Sequence, residues 1–414
     1  MSKEKTLIIG GGQAACQTAT SLRSKGYNGE IKIYCSENYL PYQRPPLSKK
    51  FLLGELEKER LFFKPEKFYN ESEISIKLNS YVQGIDAKNK EIFLDDNETE
   101  NYDNLVIATG TKPRTIDVEK KISDKVFYLR SIDDVIRITD KIKNSNKVAI
   151  IGGGYIGLEV AAVINNLGLH VTIVEMASRI LERVTSEVIS SFYSKIHAQA
   201  GVELQTNTSV EGILGNEKGI EVITSNGSII SDFVIVGIGV LPCDTIASDS
   251  GIEVNNGIIV DEFCRTSNDS IFSAGDCTMH PNIFYNKNIR LESVHNAIEQ
   301  GKTVAASIIG EKSVYDQVPW FWSDQYETKL QIVGLLDNYD DTIVRGDLEK
   351  QSFGIYIWKA ATFPNTLLCA LIMKEPTLGV KAAYGRVAVY LGLGSLTLSI
   401  ELSRDSDKFA LGFI

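Results

Sequence analysis

The sequence has no paired cysteines. Cys16, Cys35, Cys243, Cys264, Cys277 and Cys369 are scattered without a C-x-x-C or C-x-x-x-x-C spacing. This excludes a disulfide framework and a redox dithiol, and leaves the thiols as small core residues. The four histidines, His170, His197, His280 and His295, show no ligand spacing, so no protein-bound metal is expected. Long apolar runs are also missing. The longest candidate, residues 387–400, is interrupted by Gly392 and Gly394 and falls short of the roughly 18 residues that a spanning helix needs. Positive charge is in deficit: a net charge of −10 disfavours non-specific binding to nucleic acid or an anionic membrane, while leaving room for a local basic docking patch. Lys3, Glu4 and Lys5 lead directly into a strand-like run with no apolar signal region, and a cytoplasmic location is expected.

What is present is a repeated device. A chain of 414 residues with 43% hydrophobic content has room for two to four domains. Residues 6–9 read as a buried strand, followed by a glycine turn at Gly10, Gly11 and Gly12, a helix to about Lys25 and a strand over residues 30–34. Residues 147–151, 152–167 and 170–174 repeat that order. Residues 103–110 and 232–239 are each a strand ending in a small-residue turn, as at crossings between domains. The polar run 94–103 reads as a turn or hairpin edge. The expected fold is α/β: two Rossmann-like domains, the second inserted in the first, and an α+β C-terminal domain. The expected boundaries are 1–110 with 240–312, 111–239, and 313–414.

Each turn is a phosphate cradle. In Gly10-x-Gly12-x-x-Ala15 the first glycine permits the tight turn and the second lets a pyrophosphate approach the backbone. The small Ala15 allows close helix–strand packing. The phosphate charge then sits on a helix N-terminus. The second copy is stronger: Gly152-x-Gly154-x-x-Gly157, with Glu175 closing the next strand where a ribose-binding acid belongs. A carboxylate there accepts from ribose hydroxyls and repels a 2′-phosphate, favouring NADH over NADPH. Arg179 either weakens that preference or lies along the adenine. In the first copy the acid comes a residue or two late, after Ser36, and Glu37 is the candidate.

At this point the chain resembles the flavoprotein reductases that feed bacterial oxygenases, the NADH-dependent ferredoxin, rubredoxin, putidaredoxin and rhodocoxin reductases. The resemblance runs through Leu40-Pro-Tyr-Gln-Arg-Pro-Pro-Leu-Ser-Lys49, Ala108-Thr109-Gly110 and Gly152-Gly-Gly-Tyr-Ile-Gly-Leu-Glu159. It continues through Ser273-Ala-Gly-Asp-Cys277, Leu291-Glu-Ser-Val294 and Pro319-Trp-Phe-Trp-Ser-Asp-Gln325. It implies FAD in the first cradle, with contacts from Ala14, Ser36, Arg44, Lys49, Val82, Ala108, Thr109, Gly110 and Arg130. Asp276 would bind the ribityl chain at a helix N-terminus and Val294 would approach the isoalloxazine. It implies NADH in the second cradle, with Tyr155, Ile156, Glu159 and Gly239 joining the residues already named.

A cation beside the flavin stabilises its anionic reduced form. The resemblance places Lys49 there and Glu159 within reach of it, as a pair of electrostatic tuners, and sets Trp322 near the flavin and the docking surface. With these three as candidate catalytic residues, the implied reaction takes hydride from NADH and passes single electrons to a ferredoxin or rubredoxin serving an oxygenase. The loop reading Gln43-Arg-Pro-Pro46 has no thiol, unlike glutathione or dihydrolipoamide reductases and cysteine-dependent NADH oxidases. The alternatives are an NADH-sensing flavoprotein resembling apoptosis-inducing factor, or another pyridine-nucleotide oxidoreductase without a dithiol. Two departures stand out: His295 replaces a more usual Gln, Pro or Trp, and from about Lys359 the sequence stops following the family, whose last domain would alternate strands and end in a helix.

Overall fold

The computed structural model describes residues 4–359, with gaps at 96–97, 218, 337–338 and 340; beyond these it describes only the backbone of six strands, the first being Thr366–Met373. Two five-stranded parallel sheets organise most of it. The first runs in the order Ile271–Ser273, Asn104–Ile107, Lys5–Ile9, Glu30–Tyr34, Ile74–Lys77. The second runs Glu203–Gln205, His170–Val174, Lys147–Ile151, Phe233–Val236, Val126–Phe127. The central strands are buried on both faces, which explains why they read as unbroken apolar runs.

The duplication extends to single atoms. Ile9 pairs with Tyr34 as Ile151 pairs with Val174. The Gly10 amide then donates to Tyr34 O at 2.9 Å, and the Gly152 amide to Val174 O at 2.8 Å. Gly10 and Gly152 both have positive φ, 120° and 108°. A Cβ on Gly10 would lie 2.2 Å from Ala108 O, and one on Gly152 would lie 2.3 Å from Gly237 O. Only glycine allows so close an approach of the turn to the neighbouring strand.

Between the two sheets the chain crosses twice, and the crossing segments Thr111–Pro113 and Val240–Pro242 pair antiparallel. The helix Val294–Ile308 returns to pack on Gln13–Ser24, the helix of the first cradle. Gly301 makes this approach possible, since a Cβ there would meet Gln17 Cβ at 3.0 Å and Ala14 O at 3.1 Å. The third region is an antiparallel sheet in the order Trp320–Gln325, Thr328–Val333, Thr366–Met373, Ser352–Lys359, Asp341–Asp347. Its Leu330, Ile332, Phe353 and Ile355 share one core with the second sheet. Every described element beyond residue 312 is a strand, so the helix that would end the family's last domain has no counterpart among the described residues. Among those residues no helix is long and apolar enough to cross a membrane, and no cluster of His, Cys, Asp and Glu could hold a metal.

One buried side chain makes the fold sensitive to acid. His280 is 1% exposed and packs edge-on against Tyr315, with neither ring nitrogen hydrogen-bonded to another residue. Burial lowers its pKa to about 4. Above its ordinary value of about 6.5 the ring is neutral in folded and unfolded chains alike and adds no pH dependence. As pH falls from there through about 4, the unfolded chain takes up the proton first and stability is lost, by up to about 3 kcal/mol. Urea unfolding between pH 7 and pH 4 is expected to show this loss and His280→Leu to reduce it; an unchanged acid limb in the variant would contradict the assignment.

Candidate active site

The two cradles open at helix N-termini that no side chain caps. Gly12 precedes Gln13–Ser24 and Gly154 precedes Tyr155–Asn166, and neither helix has an acidic residue in its first turn. By contrast, Ser131 and Ser293 cap their helices through hydroxyl oxygens. A Cβ on Gly12 or Gly154 would meet nothing within 4 Å, whereas a Cβ on Gly157 would strike Gly152 O at 2.1 Å. The middle glycine of each fingerprint thus faces open space with free N–H groups behind it, and the last holds helix against strand. Ala15, fully buried, fills that last position in the first copy.

A cavity of about 520 Å³, cofactor-sized, runs from the first cradle to the third region. Gly10, Gly12, Ala14, Ser36, Glu37, Arg44, Lys49, Val82, Ala108, Thr109, Gly110, Arg130, Asp276 and Val294 all line it. So do Ile156 and Glu159 from the second cradle's helix and Trp322 from the third region. Its floor is laid by two arginine–carboxylate pairs, Arg44 with Glu37 and Arg130 with Asp276. Arg44 donates to Glu37 Oε1 and to Arg130 O, each at 2.6 Å, and Tyr42 Oη donates to Glu37 Oε2 at 2.6 Å. Burial works against the Arg44 charge, but Tyr42, Glu37 and Asp276 outweigh it and raise its pKa. Arg130 is pushed the other way, by burial and then by repulsion from Arg44, against the pull of Asp276 at 3.5 Å.

At the far end Lys49 Nζ lies 2.7 Å from Glu159 Oε2, so the structure brings these two together as an ion pair. Trp322 stacks on Trp320 with ring centres 5.0 Å apart, and Tyr155 lies against Phe321 at 4.6 Å. In the second cradle Glu175 accepts from the Gly153 amide at 2.6 Å and the Ala177 amide at 2.8 Å. Gly239, at φ 99°, holds the crossing by accepting from the Arg114 amide.

Several expectations need correction. Asp276 does not itself open a helix: it lies in a turn at Gly275, φ 92°, that leads into the strand Thr278–Asn282 and packs against the first turn of Gln13–Ser24, where a Cβ on Gly275 would lie 3.1 Å from Ala14 Cβ. The reason is pairing, because His280, Pro281 and Asn282 form a hairpin with Lys287–Ile289. Arg179 lies in the loop that abuts the second cradle, where the Leu181 amide donates to Gly153 O at 2.9 Å. The Arg179 guanidinium donates to Thr185 O, Glu182 O and Ser190 Oγ and so ties its own loop together. His295 faces Trp320 and does not line the cavity. The late acid of the first copy also has an explanation. The residue equivalent to Glu175 is Cys35, whose Sγ lies where a Cβ on Gly11 would touch it at 2.6 Å, and Glu37 reaches the cavity from two positions later. Cys16, Cys35, Cys264 and Cys277 are buried as expected, Cys243 lines the cavity half-buried, and the Cys369 side chain lies outside the described residues.

Sequence reasoning missed Ser48 and Ser323, which donate to Glu159 at 2.5 and 2.6 Å. Both lie inside quoted segments, but only the fold shows that they meet.

Comparison with known proteins agrees with this geometry. Residues 4–301 match the model for pyridine nucleotide-disulphide oxidoreductases. The chain belongs to that family. Residues 320–370 match the reductase C-terminal model, so the family likeness outlasts Lys359 and extends into the strand Thr366–Met373. The oxidoreductase is 37% identical to putidaredoxin reductase of Pseudomonas putida over 86% of each chain. It is 36% identical to a rubredoxin-NAD(+) reductase of the same organism, over 90% of this chain and 97% of the relative. Among solved structures, the covalent putidaredoxin reductase–putidaredoxin complex matches with a TM-score of 0.86 and 34% identity, over 91% of both chains.

Proposed function

We propose that this oxidoreductase takes hydride from NADH through FAD and passes electrons one at a time to a ferredoxin or rubredoxin, and that it serves an oxygenase in the cytoplasm. The observation that carries the reading is the single cavity joining an uncapped phosphate cradle, the Lys49–Glu159 pair and the Trp322 wall. FAD supplies the two-electron to one-electron conversion when bound, chemistry that side chains lack.

The chain's own residues bind, orient and shield. The Gly10–Gly12 turn and its helix receive the pyrophosphate, and the Arg44–Glu37 pair fixes the cavity floor. Asp276, held by Arg130, meets the ribityl chain, while Val82, Val294 and the backbone of Ala108, Thr109 and Gly110 wall the remainder. Gly152, Gly154, Gly157 and Glu175 take the nicotinamide dinucleotide, and the Glu175 carboxylate disfavours a 2′-phosphate. Lys49 would present a cation, and Glu159 its partner, to a flavin held in this cavity. Trp322 covers the cavity toward the acceptor and keeps water out.

The cradle residues divide the chain into an FAD domain of 1–110 with 240–312, an NADH domain of 111–239 and a third domain from 313 onward. The test is an acceptor assay: with NADH and excess cytochrome c, reduction is expected to rise at least about tenfold when a ferredoxin or rubredoxin is added. Equal rates with and without either protein would reject the acceptor class.

A further inference from the structure

Glu159 is 2% exposed, yet both of its oxygens are occupied by donors from other parts of the fold. Ser48 Oγ at 2.5 Å and Lys49 Nζ at 2.7 Å donate to Oε2, from the short 3-10 turn Pro45–Ser48 and the residue after it. Ser323 Oγ donates to Oε1 at 2.6 Å from the first strand of the third region. Behind it, Gln325 Nε2 donates to Ser323 Oγ at 3.2 Å, and Gln325 Oε1 lies 2.9 Å from His197 Nε2 on the helix Glu187–Gln199. Ser323, Gln325 and His197 are all buried to 1% exposure or less.

The chain has a fixed direction. A carboxylate can only accept, so the Ser323 proton points at Glu159 and its oxygen is left to accept from the Gln325 amide. The Gln325 carbonyl must then accept from His197, which places the imidazole proton on Nε2. His197 Nδ1 has no hydrogen-bonding residue opposite it, and burial lowers the pKa of this ring against the pull of Gln325, in keeping with a neutral imidazole. Two segments far apart in sequence thus converge on one carboxylate, and a third, through His197, backs one of them.

We propose that Ser323, backed by Gln325 and His197, is a positioning residue that locks the Glu159 carboxylate against Lys49, so that the third region sets the charge presented to the cofactor cavity. A lysine ammonium is a point charge on a flexible stem, and its place is only as fixed as its partner's. With Oε2 alone held, the carboxylate can rotate. With both oxygens held it cannot, and Lys49 stays neutralised at the cavity wall. The inference rests on FAD occupying that cavity.

The test is the two-electron midpoint potential of the FAD-bound protein, measured for wild type, Ser323→Ala, Ser323→Thr, Glu159→Gln and the Ser323→Ala/Glu159→Gln double variant. Glu159→Gln removes the neutralising charge and is expected to raise the potential. Ser323→Ala should move it in the same direction by less, Ser323→Thr should restore it, and Ser323→Ala should add nothing once Glu159 is gone. If Ser323→Ala does not retain FAD, Gln325→Leu carries the same expectation with a smaller shift. A yellow protein whose potential is unmoved by Ser323→Ala, or moved equally with and without Glu159, overturns the locking role alone. A wild-type protein that binds no flavin overturns the functional reading and this inference together.

Discussion

Gly12→Val is expected to give a folded but colourless protein. The valine Cβ enters space with no protein atom within 4 Å, and the φ of −95° suits any residue, so the apoprotein has no reason to rearrange. On the proposed reading that space takes the pyrophosphate, against the free N–H groups of Gln13–Ser24. Filling it removes the closest approach between backbone and phosphate, and affinity for FAD should fall at least about 100-fold, or roughly 3 kcal/mol. Thermal stability should fall only by the linkage contribution of the lost cofactor. Gly10→Ala provides the contrast: its Cβ would lie 2.2 Å from Ala108 O at a φ of 120°, so the strand itself must move and the fold should suffer as well as the binding. Far-ultraviolet circular dichroism with bound-flavin absorbance separates the two. A Gly12→Val protein that keeps its flavin would remove the first cradle from the account.

Gly154→Val should produce the complementary result, a yellow enzyme that NADH does not bleach. The position is again open, with nothing within 4 Å, and does not line the cavity of the first cradle. FAD content and visible spectrum should match wild type, while kcat/KM for NADH falls by about 100-fold or more, mostly through KM. Dithionite should still reduce the flavin. Loss of flavin in Gly154→Val, or normal NADH kinetics, would mean that the two fingerprints do not divide the cofactors as argued.

Both cradles were legible because glycine spacing after a buried strand has a local cause: a positive φ at Gly10 and Gly152, and open space at Gly12 and Gly154, follow from the turn itself. The central strands themselves were legible for a similar reason, since a parallel strand buried on both faces is apolar throughout. The pairing of Lys49 with Glu159 came from resemblance and not from spacing, as 110 residues separate them. Ser323, Gln325 and His197 were beyond reach because serine, glutamine and histidine carry no periodic signal, and their meeting depends on how the third sheet packs on the second. That Asp276 leads into a hairpin was not legible, because a glycine-aspartate turn reads the same before a helix as before a strand. The loop partners of Arg179, Thr185 and Ser190, were not legible either, because nothing in the spacing shows which carbonyls a guanidinium will reach.

The central claim is that this chain carries electrons from NADH through a bound flavin to an iron–sulfur or rubredoxin partner. It is tested most directly by mixing the FAD-loaded protein anaerobically with one equivalent of NADH and following the flavin band, then adding oxidised ferredoxin or rubredoxin. The account predicts rapid bleaching, faster with NADH than with NADPH, and return of the yellow colour as the partner is reduced. A protein that stays colourless with added FAD, or a bleached flavin that neither partner reoxidises, would contradict it.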